Sequence, residues 1–397
     1  MRTTIDHTYP IVGNSMNTND LFNPTEEHLM LREMVADFTL NEVEPQAAKY
    51  DELGILNRSL FEQVAELGLL GITIPEEFGG AGMDAIAACI VHEELSKSDP
   101  GFCLAYLAHA ILFVNNFFSG ASDEQRKKYL PKVLSGEWIG GMGMTEPGAG
   151  TDVIGMTTTA VRDGNHWVVN GTKTYITNGC EGHCFLTYAQ VDGKITAFIV
   201  DRDCPGFSTS EHIDKLGMRA STMSELIFDD CRVPAENIVG VRGGGLEHMM
   251  RNLEIERLTL AAMSVGIARR CVEIMVRHGQ ERISFGQPIN RYGQIQRYIA
   301  EGYAQTEAAK CLVYNVAKGI GPDKRDRIGS DAAKLFAGPV GKTVADYAMQ
   351  VMGGSGYCKE YPVERLWRDA KLIEIGGGTL EAHQKNMCKD LARQHPI

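Results

Sequence analysis

Residues Trp138 to Val153 read WIGGMGMTEPGAGTDV, and the reading of this stretch decides the rest. Five glycines, a proline and small hydroxyl residues give a backbone that turns tightly and lies close to a planar ligand. Glycine has no Cβ to hold a ligand away and tolerates positive φ. Thr145, Thr151 and the loop amides offer hydrogen-bond donors without bulk. A dinucleotide-binding turn is excluded, because Glu146 stands where G-x-G-x-x-G counted from Gly141 needs its third glycine. Composition alone favours a glycine-rich connector between domains, so the flanking sequence has to carry the argument.

On the N-terminal side the pattern is helical from Asn23 to about Glu137. Pro24, Thr25 and Glu26 mark a helix start, with Leu29, Met30, Met34 and Phe38 as its apolar stripe. Phe61, Val64, Leu67 and Leu70 form a second stripe. A further helix is expected from about Asp84 to Ser98. Phe102 to Phe118 is strongly apolar, lacks Lys and Arg, and reads as a buried core helix. A polar helix then ends near Pro131 or Gly136. On the C-terminal side, short β-rich runs alternate with turns, among them HWVVN, FLTYAQV and KITAFIV, with Asp192–Gly193 as a hairpin pair. From Gly245 onward helices return. The expected organisation is an N-terminal extension (1–22), a helical domain (23–139), a middle β domain (140–243) and a C-terminal helical bundle (244–397).

At 397 residues, 44% hydrophobic and 23% charged, the chain can bury a large core in two or three domains. A formal net charge of −12 and the absence of a long basic run argue against a nucleic-acid partner. No apolar run reads as a bilayer span. Ten cysteines never form C-x-x-C, and Cys180 and Cys184 with His183 lack a second ligand pair, so no metal is expected. Reduced thiols suit a cytoplasmic location. The first twenty residues resemble neither a secretory signal nor a transit peptide. GKT at Gly341–Thr343 fails as a phosphate loop because Phe336 replaces its first glycine.

MTEPGAGTD resembles the flavin-loop signature of the acyl-CoA dehydrogenase family. Five further stretches match that family in the same order: GTKTYITNG (Gly171–Gly179), DKLGMRAS (Asp214–Ser221), RISFGQPI (Arg282–Ile289), QVMGGSGY (Gln350–Tyr357) and YPVERLWRDAKLIEIGGGT (Tyr361–Thr379). GFSTS and DKLGMRAS are most similar to the isovaleryl-CoA dehydrogenase branch. The resemblance implies an α+β fold with an N-terminal helical domain, a middle β-barrel-like domain and a C-terminal helical bundle. It also implies an FAD enzyme that oxidises a short or branched-chain acyl-CoA to its trans-2-enoyl form. A base removes the α-proton, the β-hydride passes to flavin N5, and an electron-transfer flavoprotein accepts the electrons. Two other readings remain open: the same fold and FAD used for enoyl-CoA reduction or another acyl-CoA reaction, and a non-catalytic flavin-binding member.

Such chemistry needs a carboxylate held dry, so that desolvation raises its proton affinity, and donors at the thioester oxygen. Many family members carry the catalytic Glu just before the C-terminal GT pair, where this chain has Gly377. The isovaleryl and long-chain branches take it from an earlier helix, and LEIERLTLA here puts Glu256 at the matching position. Helix geometry agrees. Leu246, Met249, Met250, Leu253, Leu260 and Ala261 form a stripe centred near Leu253, and at about 100° per residue Glu256 lies roughly 60° from that centre. Glu254 lies about 100° to the other side and is expected in solvent.

Further roles follow from the resemblance alone. Met144, Thr145, Gly150, Thr151, Tyr175 and Thr177 should line the flavin, with Tyr175 replacing the commoner Trp. Arg282, Phe285, Gln350 and Gly354 should reach the adenylate half of a neighbouring subunit's FAD, implying an oligomer, usually a tetramer. Thr379 and Glu381 resemble contacts near the flavin. Arg257 resembles an Arg beside the CoA pantetheine arm, and Gly377 and Tyr106 are substrate-side candidates. The apolar Phe102–Phe118 segment resembles the wall of the acyl pocket and, without Lys or Arg, disfavours a distal carboxylate.

Overall fold

A computed structural model describes residues 20–395. The expected extension 1–22 lies mostly outside them, but Phe22 already belongs to the fold, edge-on to Tyr314 at 5.4 Å. Seven helices build the N-terminal part: α1 (Glu26–Phe38), α2 (Glu44–Leu53), α3 (Arg58–Glu66), α4 (Ala85–Ser96), α5 (Pro100–Leu107), α6 (Asn116–Gly120) and α7 (Asp123–Leu134). Local chemistry sets their starts. Thr25 caps α1, Asp84 caps α4, and Ser122 with Gln125 forms a capping box on α7. The stripe expected on α1 is corrected: Leu29 and Met30 are exposed, and the buried face runs through His28, Leu31 and Val35. Leu67 is also exposed, because α3 ends at Glu66 and Gly68, at φ 73°, turns the chain so that Leu69 and Leu70 go inward. Pro131 lies inside α7 rather than at its end.

Between α5 and α6 the helix widens into a π-helical stretch, Ala108–Asn115, so Pro100–Gly120 is one continuous rod. By length and composition it could cross a membrane, which corrects the expectation that no such run exists. Most of it is buried inside the protein, and it serves as a core element.

The middle part is a mixed sheet of β1 (Gly140–Gly143), β2 (Thr159–Asp163), β3 (His166–Thr177), β4 (Cys184–Val191), β5 (Lys194–Asp201), β6 (Phe207–Thr209), β7 (Met223–Pro234) and β8 (Ile238–Val239). The strand order is β6-β7-β3-β2-β4-β5-β8, an open path whose end strands β6 and β8 are not paired with each other. The β4–β5 hairpin turns through Asp192 and Gly193, both at positive φ as a type I′ turn requires. One edge of β4 is shared. β1 runs parallel to it at Cys184–Thr187, and β2 takes over at Gln190. The chain between them, residues 144–158, has left the sheet and forms the glycine loop.

The C-terminal part is organised on α8 (Gly245–Glu281), 37 residues long, against which α9 (Gly293–Ala317), α10 (Arg327–Met352), α11 (Val363–Ile373) and α12 (Leu380–Gln394) assemble. A small hairpin, β9 (Ile283–Ser284) and β10 (Gln287–Pro288), follows α8. One continuous apolar core joins α4 and α5 to α8, α10 and α11, so α8 is buried where it passes both the N-terminal helices and the sheet.

Candidate active site

Glu256 sits in the buried middle of α8, 5% exposed, with its Oε2 buried and without a partner. Among the described residues neither carboxylate oxygen accepts a hydrogen bond, and no cation stands within ion-pair distance. Burial pushes its pKa up to about 7, against the opposing pull of Arg257 and Lys334. Glu254 corrects the sequence reading: it is buried, not solvated, and its carboxylate is taken by Arg325 Nη2 at 2.6 Å and by the Asp326 amide at 3.1 Å. Two acids on one helix thus differ in partnering rather than in exposure, and only Glu256 is free to take a proton.

Gly377 faces Glu256 from the loop between α11 and α12. A Cβ there would lie 3.4 Å from Glu256 Oε1 and would collide with Leu260, and the residue's φ of 66° is left-handed. A Cβ at 377 would therefore displace Leu260, and only a side chain extending beyond it would enter the space of the Glu256 carboxylate. The amides of Gly377 and Gly378 donate to no group among the described residues, so the loop that meets the unpartnered carboxyl at Gly377 carries two free N–H groups. That is the donor-plus-base arrangement that proton abstraction next to a carbonyl needs.

The glycine loop is held from beneath. Glu146 accepts the amide and hydroxyl of Thr157 and the amide of Thr158, and pairs with Lys173 Nζ at 2.8 Å, Lys173 being fully buried. Lys173 also reaches the Met144 carbonyl, and the Thr174 amide donates to Thr145 O at 2.8 Å. Thr145 is thereby fixed beside the strand that carries Tyr175 and Thr177. A register shift between Lys173 and Ile176 puts Tyr175 at φ 59° and turns its ring outward, 64% exposed. Gly148 and Gly150 have open space where a Cβ would point. Met144 and Thr145 are thus held beside the strand of Tyr175 and Thr177, with Gly150 and Thr151 in the same glycine loop.

The comparisons with known proteins decide what the arrangement is. Acyl-CoA dehydrogenase N-terminal, middle and C-terminal domain families match residues 25–137, 141–231 and 243–392. The mitochondrial isovaleryl-CoA dehydrogenase of Oryza sativa is 38% identical over 94% of this chain and 93% of that protein. Butyryl-CoA dehydrogenase from Megasphaera elsdenii superposes with a TM-score of 0.90 at 32% identity, covering 96% and 100% of the two chains. A chain solved in work on the electron-transferring flavoprotein of Acidaminococcus fermentans gives 0.91 at 36%, covering 94% and 99%.

This chain belongs to the acyl-CoA dehydrogenase family.

As a family flavoprotein it carries out FAD-dependent acyl-CoA dehydrogenation. The glycine-loop and β3 residues fit that cofactor: free hydroxyls and amides at Thr145 and Thr151, close-approach glycines, and an outward aromatic ring. The other expected contacts stand on elements other than the glycine loop and β3. Phe285 sits in the hairpin loop between β9 and β10 at φ 49° and is 96% exposed, with Arg282 exposed beside it, and Gln350 and Gly354 are exposed at the end of α10. Thr379 caps α12, accepting the Ala382 amide, and Glu381 is exposed in its first turn.

Tyr106 is removed from the substrate side, being fully buried with its hydroxyl donating to Leu69 O at 2.9 Å. Its neighbour His109 is also satisfied, between Val133 O and the Gly140 amide. Arg257 is buried and pairs with Asp331 at 3.1 Å rather than facing an open pocket. Sequence reasoning missed Lys173, Asp331, Lys334 and His383. Their partners lie far off in the chain, and only Lys173 stood inside a quoted motif.

Proposed function

We propose that this protein dehydrogenates a short or branched-chain acyl-CoA to the trans-2-enoyl-CoA, with Glu256 as the base. The observation that carries the reading is Glu256, buried and unpartnered, against Gly377 in a loop whose Gly377 and Gly378 amides are also unpartnered. In a dry site the carboxylate is a strong enough base to take the α-proton, and its value near 7 keeps it ready at neutral pH. The two amides receive the negative charge that develops on the thioester oxygen. FAD, when bound, supplies the two-electron acceptor for the β-hydride. Met144, Thr145, Gly150, Thr151, Tyr175 and Thr177 would hold it from this chain. Arg282, Phe285, Gln350 and Gly354 would hold a neighbouring subunit's cofactor in a homotetramer, and their exposure supports that role.

The apolar Pro100–Gly120 rod and Leu260 beside Gly377 favour a plain aliphatic acyl group, as do the isovaleryl and butyryl names of similar proteins. We assign an electron-transfer flavoprotein as acceptor and a reducing, cytoplasmic compartment, in keeping with ten unpaired cysteines. The test is anaerobic addition of acyl-CoAs to purified holoenzyme while following flavin absorbance, in the wild type and in Glu256→Gln. Bleaching by isovaleryl- or butyryl-CoA, slowed by about 10²–10⁴-fold in the variant, is the expected result. Undiminished bleaching in Glu256→Gln overturns the base, and no bleaching by any saturated thioester overturns the reaction.

A further inference from the structure

Behind Glu256 lies a buried ion network that the reaction as described does not use. Asp331, on α10 and fully buried, offers one oxygen, Oδ1, both to Arg257 Nη1 at 3.1 Å and to His383 Nδ1 at 2.6 Å. His383, on α12 and also fully buried, turns its Nε2 to the carbonyl of Gly378 at 3.0 Å. A carbonyl only accepts, so Nε2 donates to it. The ring's other nitrogen, Nδ1, meets the Asp331 carboxylate, so Arg257, Asp331, His383 and Gly378 form one buried chain of contacts. One turn along α10, the buried Lys334 donates to the carbonyl of Ile373, the last residue of α11. Side chains tied to α10 therefore pin both ends of the loop 374–378, the loop that brings Gly377 against Glu256.

We propose that Asp331 and His383 are positioning residues: through Arg257 they tie the 374–378 loop to the helix carrying Glu256, and they keep the Arg257 guanidinium engaged away from that carboxylate. The inference rests on Glu256 being the base. The charged and titratable groups around it are Arg257 on its own helix, Lys334 and Asp331 from α10, His383 from α12, Glu374 beside Lys334, and the Tyr188 hydroxyl from β4. Burial pushes the Lys334 ammonium down to about 8, with Glu256 pulling the other way. Removing the charge of Asp331 frees Arg257 to favour the ionised form of Glu256, which lowers that group's pKa. Removing His383 releases Gly378 without touching either Glu256 or Arg257.

The experiment follows the rate of anaerobic flavin bleaching against pH in holoenzyme carrying Asp331→Asn, His383→Ala or His383→Gln, with Glu256→Gln as reference. In Asp331→Asn the acidic limb moves down by about one pH unit. In His383→Ala the limiting rate at saturating acyl-CoA falls by about tenfold, while acyl-CoA affinity and FAD content hold. His383→Gln, whose amide can still donate to Gly378 O, restores most of that rate. Wild-type limb and wild-type rates in folded variants overturn the proposal. If Asp331→Asn does not fold, the His383 pair decides: loss in Ala with recovery in Gln sustains it, and no loss in Ala overturns it. Bleaching that survives Glu256→Gln instead overturns the base assignment and with it the pH arm, while the His383 rescue still tests the loop.

Discussion

At the scale of single residues the site turns on Glu256 and on the glycine at position 377 that lies against it. Because Glu256 must be ionised to act, kcat/KM should rise with pH through about 7 and then level off. A pH–rate profile checks this, and a flat profile between pH 5.5 and 8.5 contradicts it. The same residue burdens the fold. Its folded pKa lies above the unfolded value, so stability falls as pH rises from about 4.3 toward 7, by roughly 1.4 kcal/mol per pH unit of separation. Glu256→Gln should therefore raise Tm at pH 8 and leave it nearly unchanged near pH 4.5, as thermal melts at the two values will show. Gly377→Ala adds a Cβ that displaces Leu260 at a left-handed φ, and should destabilise by about 1–3 kcal/mol while slowing bleaching by acyl-CoA. A variant with wild-type Tm and turnover rules out the clash with Leu260.

At the scale of elements the glycine loop is interesting for what holds it. It leaves the sheet where β1 hands the edge of β4 to β2. The Glu146–Lys173 pair then fastens it to β3, and both partners are buried. Breaking a buried pair leaves one charge uncompensated, at a cost of about 3–5 kcal/mol. Lys173→Met should therefore lower Tm and the FAD-to-protein ratio of the purified enzyme, and Glu146→Gln combined with Lys173→Met should recover part of the stability. Absorbance ratios and thermal melts read both effects; full FAD occupancy in Lys173→Met separates the pair from cofactor retention. Glu146 was visible in the sequence only as the residue that spoils a dinucleotide motif, because its partner lies 27 residues away on a strand whose register the sequence does not state.

At the scale of the whole molecule, a buried ionic cluster joins the N-terminal helices to the C-terminal bundle. Glu93 and Glu94 on α4 receive Arg32 from α1 and Arg269 from α8, with Lys310 and Tyr314 from α9 at Glu93. Burial acts to raise the carboxyl of Glu93, yet Arg269, Arg32 and Lys310 hold it well below the usual range. It therefore contributes stability that is present above an unfolded pKa of about 4.3 and lost as pH falls below it. Burial pushes the other way on Asp369, raised to about 7, and Asp99, raised to about 6. Like Glu256 these destabilise the fold as pH rises. Thermal stability should accordingly peak between about pH 4 and 4.5 and fall toward pH 7, and Glu93→Gln should lower the peak and weaken the fall on its acid side. A maximum above pH 7.5 would show that these groups do not dominate.

The sequence by itself determined the order of helical, β and helical parts, the glycine loop, the family, and Glu256 as the acid nearest the buried stripe of α8. These are legible because caps, turn pairs and helical periodicity are local, and because long motifs recur in fixed order. It misjudged what depends on the far side of a contact. Glu254 looked solvated because Arg325, 71 residues on, is invisible to periodicity. Tyr106 looked available because Leu69 O is not in view. Leu29 and Met30 looked buried because a stripe does not say which neighbour covers it. Only the tertiary structure decided that Glu256 is unpartnered, that Gly377 lies against it, and that Asp331 and His383 tie the loop to α8. Partnering sets the free energy of a buried charge, and partners come from elements that meet only after folding.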